Sequence, residues 1–457
     1  MKVDVVYFVE SVPKELDVAC IVRTLARQRF GLNIELASYK AHVPDWLLRT
    51  HPALLVVPTC YAADAWGIRR HVGRWPTTPF LNLTWEELFC RANLTWKHPR
   101  DTFAQKHVQH HVWGDFYKDF LLSHGVPADH VLVNGNLGYR LYTEPYRRYY
   151  PTRADLARKH GLDPGKRWIF LPENYGWAFY GPENLAARVR EGMDPATPPL
   201  LQEYCRSTLR TVLDWCQDLV RQADLELIIR PRPTTSLTQF EHVCRELHGV
   251  PLEGVRIIKD GTVNEWILAS DVVVSSFSTS LIEAAIADKP AYMLEPLPLP
   301  DPLWAIWNDD ADSLTTREAF LSACLLAPAH RPEQRLRRWA DANLLANGDP
   351  IDNLVNYIAD VCDRRVKLPL SPVRAPLVPR PRHAAVKALV SVALNGVHRM
   401  VTGTGQRDAR SMAFDKADVD TRTKAWNRVL EGSLVSHGPR PSIESVDALG
   451  NVKERKW

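Results

Sequence analysis

The sequence predicts an α/β protein with two doubly wound parallel-sheet domains facing a cleft, plus a C-terminal tail. Two observations lead there. Short apolar runs of strand length alternate with amphipathic stretches of helix length, and this alternation breaks once near the middle and then restarts. The length of 457 residues is consistent with two or three domains.

In the first half, VDVVYFVE reads as a strand and PKELDVACIVRTLARQRF as a helix. NIELAS, ALLVVP, FLNLTW and HVQHHVW read as further strands, DFYKDFLLSHG as a helix, and HVLVNGNLG as a closing strand with a Gly/Asn turn. The polar, aromatic stretch around 143–166 is read as a linker. Beyond it, RWIFLPE is a strand and PPLLQEYCRSTLRTVLDWCQDLVRQ a long helix. LELIIRPRP, VRIIKD, DVVVSS and PAYMLE are strands separated by helices, and helices fill roughly 315–363. The expected organisation is 1–145 as an acceptor domain, 146–165 as linker, 166–365 as a donor domain, and 366–457 as a Pro-rich, basic tail. Strands joined by helices require parallel pairing with right-handed crossovers.

Composition excludes several classes. Hydrophobic residues make up 45% and charged residues 24%, an ordinary globular balance, and a net charge of +4 does not indicate nucleic acid. The eight cysteines show neither CxxC nor Cys/His ligand spacing, so they are expected to be reduced rather than a disulfide frame or zinc site. MKVDVVYFVE runs straight into a strand and is not expected to be a signal peptide, and no apolar run reaches membrane-span length. The chain is therefore expected in the cytoplasm.

The chemistry concentrates at strand ends. In DVVVSSFSTSLIEA, Ser275 and Ser276 end a strand, Ser278 and Thr279 can cap the next helix, and Glu283 lies one turn inside. Ligands of open parallel sheets bind at such carboxyl ends, and free N–H groups at a helix start attract phosphate. A capped helix with a solvent-facing Glu283 fits the same residues. In LELIIRPRP, Arg230 and Arg232 suit phosphate or carboxylate binding, or simply a solvated turn. VNGNLGYRLY offers Asn134 and Asn136 to the cleft, with a structural turn as the alternative. Glu10, Glu86 and Asp115 are the candidate catalytic carboxylates, with Glu15, Asp17 and Glu87 nearby; a cap and an exposed helix first turn fit the residues after the first strand equally well. His107, His110 and His111 would alternate faces on a strand, and NDDADS (308–313) reads as a solvated turn, so no metal site is expected.

Together these segments resemble the GT-B type of glycosyltransferase, with two Rossmann-like domains. They are similar to bacterial capsule and surface-carbohydrate biosynthesis proteins, including Kdo transferases, and to the related CDP-glycerol glycerophosphotransferases and polysialyltransferases. The resemblance rests on VYFVES..KELD, HHVWGDFYKDFL with VLVNGNLGYRLY, IIRPRP, and DVVVSSFSTSLIEAAIADKPAYML, over about residues 3–300. It implies metal-independent transfer of a sugar, such as Kdo or a similar acid sugar, from a nucleotide-linked donor to a glycan or lipid-linked glycan acceptor, with no cofactor. Nucleotide-sugar 2-epimerisation, glycerophosphate transfer and a non-catalytic nucleotide-sugar-binding role are the alternatives on the same fold. By that likeness Ser276, Ser278, Thr279 and Arg230 hold a cytidine-type donor and Glu283 sits near its ribose. Arg232 stands where the family usually has histidine, which keeps the charge but not proton exchange near neutrality.

The tail is read last. A Pro-rich strap precedes a basic amphipathic stretch over His383–Val401, expected either to attach to an anionic membrane surface or to pack back on the protein. Beyond Asp408 the chain is expected to be disordered or loosely attached.

Overall fold

The computed structural model describes residues 2–39, 45–64, 68–190, 192–250, 252–326, 334–345, 348–369 and 414–431. Two six-stranded parallel sheets organise the chain. The first runs β1 (Val5–Val9), β2 (Ile34–Ser38), β3 (Leu54–Val57), β4 (Phe80–Asn82), β5 (Val108–Val112) and β6 (Val131–Val133) in chain order, with spatial order β2-β1-β3-β4-β5-β6. The second comprises β7 (Arg167–Pro172), β8 (Leu225–Arg230), β9 (Val255–Ile257), β10 (Val272–Ser275), β11 (Ala291–Leu294) and β12 (Ser313–Leu314), ordered β12-β11-β10-β7-β8-β9. Strand order reverses beside β1 in the first sheet and beside β7 in the second. Each sheet therefore opens a crevice at its carboxyl edge, between β1 and β3 and between β7 and β10.

The strands are continuous apolar runs because both faces are covered. In β1, Val5, Tyr7 and Val9 enter one core together with helix α1 (Val12–Phe30), whereas Val6 and Phe8 enter the opposite core with Leu47, Ile68 and Trp75. In β7, Ile169 and Leu171 pack on the side of the long helix Thr197–Gln222, and Trp168 and Phe170 on the other. This two-residue alternation between buried faces is the pleat itself. The edge strand β12 escapes sequence reading because it has two residues; a 3-10 turn, Asn308–Asp310, leads into it, so NDDADS is the approach to a strand rather than a simple turn.

Three further segments differ from expectation. The linker contains a helix, Arg153–His160, whose start carries a full Thr152/Asp155 capping box and whose Leu156 and Ala157 join the second core. Only two of its side chains are buried, so its polar sequence hides it. The helix Pro350–Cys362, expected in the second domain, packs on α1 of the first, placing Ile351, Leu354, Val355 and Ile358 in that core. The third segment lies beyond Asp408. The helix Lys416–Glu431 docks on α1, with Trp426 fully buried and Val419 and Leu430 in the same core. Asp17 anchors it, accepting from Arg422 Nη1 at 2.7 Å and from Trp426 Nε1 at 3.1 Å, while Tyr149 stacks on the Trp426 ring at 4.0 Å. A helix with three buried residues in sixteen gives little periodic signal in sequence. The amphipathic stretch expected over 383–401 lies outside the described residues. Among the described residues no helix is long and apolar enough to cross a membrane.

The chain returns to the first domain through a tight junction. Asn136 N donates to Leu344 O at 2.7 Å, and Asn134 Nδ2 donates to Pro350 O at 2.8 Å. Gly135, with φ of 110°, allows it: a Cβ there would lie 2.9 Å from Leu344 O.

Candidate active site

The two crevices face each other. Arg232, just past β8, lies within electrostatic reach of Glu86, which follows β4 in the other domain. Lys14, in the first turn of α1, lies within reach of both Glu86 and Glu283. A cation from each domain thus stands near a carboxylate of the other, across the carboxyl ends of both sheets.

On the first-domain wall, Glu10 follows β1 directly, and its backbone N–H donates to Glu15 Oε2 at 2.8 Å; Ser11 N donates to Oε1 at 3.1 Å. Glu15 is thereby an inward-folded cap for α1, and burial pushes its carboxyl up to about 8. Glu86 is half exposed and pairs with Lys97. Burial raises its pKa, but Lys97, Lys14 and Arg232 outweigh burial and leave the carboxyl below its usual range. Tyr61 lies within reach of both Glu86 and Glu10, so these two carboxylates border one space.

Asp115 is not part of this wall. It is 82% exposed in the first turn of the helix Asp115–Ser123, where its near partner is Lys118 at 3.8 Å. Glu87 is buried, and its oxygens accept from Thr84 Oγ1 at 2.6 Å and Trp113 N at 3.0 Å; burial drives its pKa well up. It fixes the loop that presents Glu86.

On the second-domain wall, the paired serines are fold contacts rather than exposed ligands. Ser275 Oγ donates to Pro172 O at 2.6 Å, and Ser276 Oγ donates to Leu294 O at 2.9 Å and meets Tyr175 OH at 2.6 Å. A strand ends in hydroxyls here because they tie β10 to β7 and β11 where the ladder stops. Ser278 and Thr279 are partly exposed, but Thr279 at the N-cap makes no side-chain capping bond and instead hydrogen-bonds Tyr139. Glu283 accepts from Tyr142 OH, and burial raises its pKa while that bond and Lys14 oppose the rise. Two tyrosines of the 3-10 turn Tyr139–Tyr142 therefore seat against Thr279 and Glu283.

Arg230 Nη2 donates to Gly261 O at 2.7 Å, with Glu265, Asp260 and Tyr142 within reach. Its buried Nε has no partner among the described residues. Arg232 is exposed; its backbone N–H is held by Glu173 Oε2 at 3.1 Å. Gly176 leaves room for its guanidinium, since a Cβ there would fall 2.6 Å from Nη1. Asn174 Nδ2 donates to Phe277 O at 3.0 Å, bridging the β7/β10 crevice.

Asn134 and Asn136, offered by the sequence to a structural turn or to the cleft, are buried and hold the turn. Asn134 bonds His111 Nε2 at 2.9 Å as well as Pro350 O, and Asn136 Oδ1 accepts from Tyr139 N at 2.8 Å. His110 lies between Asn82 and Ala104 O, and burial lowers both His110 and His111 to about 4, keeping them neutral. Asp312 pairs with Arg335 at 3.5 Å. The sequence alone does not single out Lys14, Tyr61, Lys97, Tyr139, Tyr142 or Gly176; Tyr139 and Tyr142 lie in VNGNLGYRLY, but only the third dimension selects them.

No family model matches the chain, and no curated protein matches it in sequence. Solved structures do match in fold. One is a UDP-GlcNAc 2-epimerase from Neisseria meningitidis bound to UDP-GlcNAc, with a TM-score of 0.50 and 13% identity over 80% of this chain and 100% of that one. Another is the wall teichoic acid polymerase TagF, with a TM-score of 0.51 and 9% identity over 80% and 90%. A further UDP-N-acetylglucosamine 2-epimerase gives 0.51 and 11% over 80% and 98%. The chain thus shares the GT-B architecture of two Rossmann-like domains; at these identities the likeness is one of fold.

Proposed function

We propose that this protein is a nucleotide-sugar enzyme that transfers a sugar from an activated donor to a bacterial surface-glycan acceptor. The observation that carries the reading is the charge pairing across the seam: Arg232 opposite Glu86, and Lys14 opposite Glu283. The donor phosphates belong between Arg230, Arg232, Ser278 and Thr279 at the β7/β10 crevice, where the unused N–H of Arg230 awaits an acceptor. Ser275 and Ser276 are left out of this set because they are buried and their hydroxyls already donate to Pro172 O and Leu294 O, whereas Ser278 and Thr279 are partly exposed. Glu283 accepts from the ribose hydroxyls beside Tyr142.

In the reaction, Arg230 and Arg232 stabilise the charge that gathers on the departing nucleotide. Arg232 cannot give up its proton, so protonation of that group falls to solvent or acceptor. Glu86, held ionised by three cations, is a weak proton acceptor and serves to bind and orient. Glu10 is assigned as the base for the acceptor hydroxyl. The two facing domains exclude water from the donor.

Epimerisation is the second reading, supported by the fold shared with two UDP-GlcNAc 2-epimerases. Incubation with a panel of nucleotide sugars separates the two. Acceptor-dependent release of CMP, CDP or UDP supports transfer, whereas sugar isomerisation without net nucleotide release overturns it in favour of epimerisation. Saturable binding without turnover of any donor would overturn both.

A further inference from the structure

Trp96 is 40% exposed, an unusual placement for an indole in a protein whose largest aromatic side chains are otherwise mostly buried. It is not on a loose loop. Trp96 N and Lys97 N both donate to Asn93 O, at 3.4 and 3.1 Å, closing a turn after the short helix Arg91–Leu94. His98 locks the other side, with its ring nitrogens at 3.2 Å from Pro99 O and Thr95 O. Beneath the turn, Phe89 is buried against Tyr117 at 6.0 Å between ring centroids. Lys97 lies over both aromatics, its Nζ 4.9 Å from the Phe89 ring and 5.2 Å from that of Trp96, and it pairs with Glu86. An exposed indole, an ammonium and an ionised carboxylate thus form one rigid shelf at the cleft mouth.

The shelf lies where the domains meet. Arg91, in the same short helix, donates its backbone N–H to Trp304 O at 2.9 Å, places its guanidinium 4.3 Å from the Trp304 ring, and pairs with Asp301. A ligand on Trp96 would therefore lead from the cleft outward along the seam.

We propose that Trp96, with Glu86 and Lys97, is a carbohydrate-binding subsite for the acceptor glycan, a proposal that rests on the transfer reading given above. The chemistry suits a pyranose. Its C–H face lies on the indole, which supplies large rigid area at low entropy cost, while hydroxyls on its rim donate to Glu86 and accept from Lys97. A carboxylate kept ionised by neighbouring cations remains an acceptor for sugar hydroxyls throughout the neutral range. The donor nucleotide has its own place at the β7/β10 crevice of the other domain, so the two sites should respond separately to substitution.

The test uses the full chain on a printed array of bacterial surface glycans and their repeat-unit oligosaccharides, with nucleotide affinity measured in parallel by calorimetry. Wild type should bind at least one glycan. Trp96→Ala should weaken that binding about tenfold or more, and Trp96→Phe should retain most of it. Trp46→Ala, removing another exposed indole, should change nothing, and nucleotide affinity should be unaffected in all three variants. The proposal is overturned if wild type binds no glycan, if Trp96→Ala binds as wild type does, or if Trp96→Ala loses nucleotide affinity, which would make the indole part of the donor site. Glycan binding that depends on Trp96 in a protein that turns over no nucleotide sugar would sink the transfer reading and leave the subsite standing.

Discussion

The hydroxyl of Tyr142 donates to the carboxylate of Glu283, joining the last turn of the first domain to the first turn of the helix Ser280–Ile286 in the second. Glu283 is thereby held in place before any ligand arrives, in a setting where burial already favours its protonated form. Tyr142→Phe removes a bond that favours the ionised form, so the pKa of Glu283 should rise further. Protonation makes Glu283 a poorer acceptor for ribose hydroxyls. Nucleotide affinity should therefore fall as pH is lowered, and in Tyr142→Phe the fall should begin at higher pH. Calorimetric titrations from pH 5 to 8 check this; superimposable profiles would show that Glu283 does not meet the nucleotide.

Glu15 gives a stability prediction with a definite sign. Its folded pKa of about 8 exceeds the ordinary value of 4.5, so the folded state binds more protons between those values. Stability should fall as pH rises through this window, by at most about 1.4 kcal/mol per pH unit from this group, and level off above it. Glu15→Gln cannot ionise, so its stability relative to wild type should improve steadily from pH 5 to 8. Urea unfolding at a series of pH values measures this; a constant difference would mean Glu15 titrates normally.

Trp426→Ala should cost about 3–5 kcal/mol, because a fully buried indole is removed from between Asp17 and Tyr149. Asp17→Asn should cost less, since it keeps an acceptor for the indole N–H while losing the charge that holds Arg422. Urea midpoints, together with limited proteolysis after residue 414, report both. A Trp426→Ala protein of wild-type stability would mean that the C-terminal helix is not seated on α1 in solution.

Arg91→Ala addresses the seam. The Arg91–Asp301 pair is 38% and 71% exposed, so its loss should lower stability by only about 1 kcal/mol or less. It should nevertheless broaden the distance distribution between spin labels on the two domains, because it removes the guanidinium from Trp304 as well as the ion pair. Arg91→Lys should restore this only in part, lacking a planar group to stack. Identical distributions in all three proteins would show that the domains are held by other contacts.

Much of the fold was legible because buried parallel strands write themselves as apolar runs. Eleven of the twelve strands among the described residues fall on such runs, and the exception, Ser313–Leu314, is too short to carry a pattern. The site was legible only at the level of strand ends. DVVVSS marked a strand end at the β7/β10 crevice, but Ser275 and Ser276 turn inward to neighbouring carbonyls, a choice set by β7 and β11 rather than by local sequence. Glu86 and Asp115 looked alike in sequence, yet among the described residues three cations converge on the first and Lys118 pairs with the second. Tyr142 meets Glu283 across 141 positions, a separation beyond any local pattern. Helices with few buried residues, such as Arg153–His160 and Lys416–Glu431, were lost for want of an apolar stripe.

The docking of Lys416–Glu431 and Pro350–Cys362 on α1 has a consequence for biosynthesis. The second domain is encoded by one uninterrupted stretch and can close as soon as it leaves the ribosome, since domains tend to fold as units during synthesis. The first domain emerges earlier but completes its core later: Leu16, Val18 and Ile21 of α1 share that core with Ile351, Leu354 and Trp426, which are translated only after the second domain. The nascent chain therefore carries an uncovered apolar face of α1 until those helices emerge, and a premature stop between residues 350 and 416 would damage the first domain rather than the second.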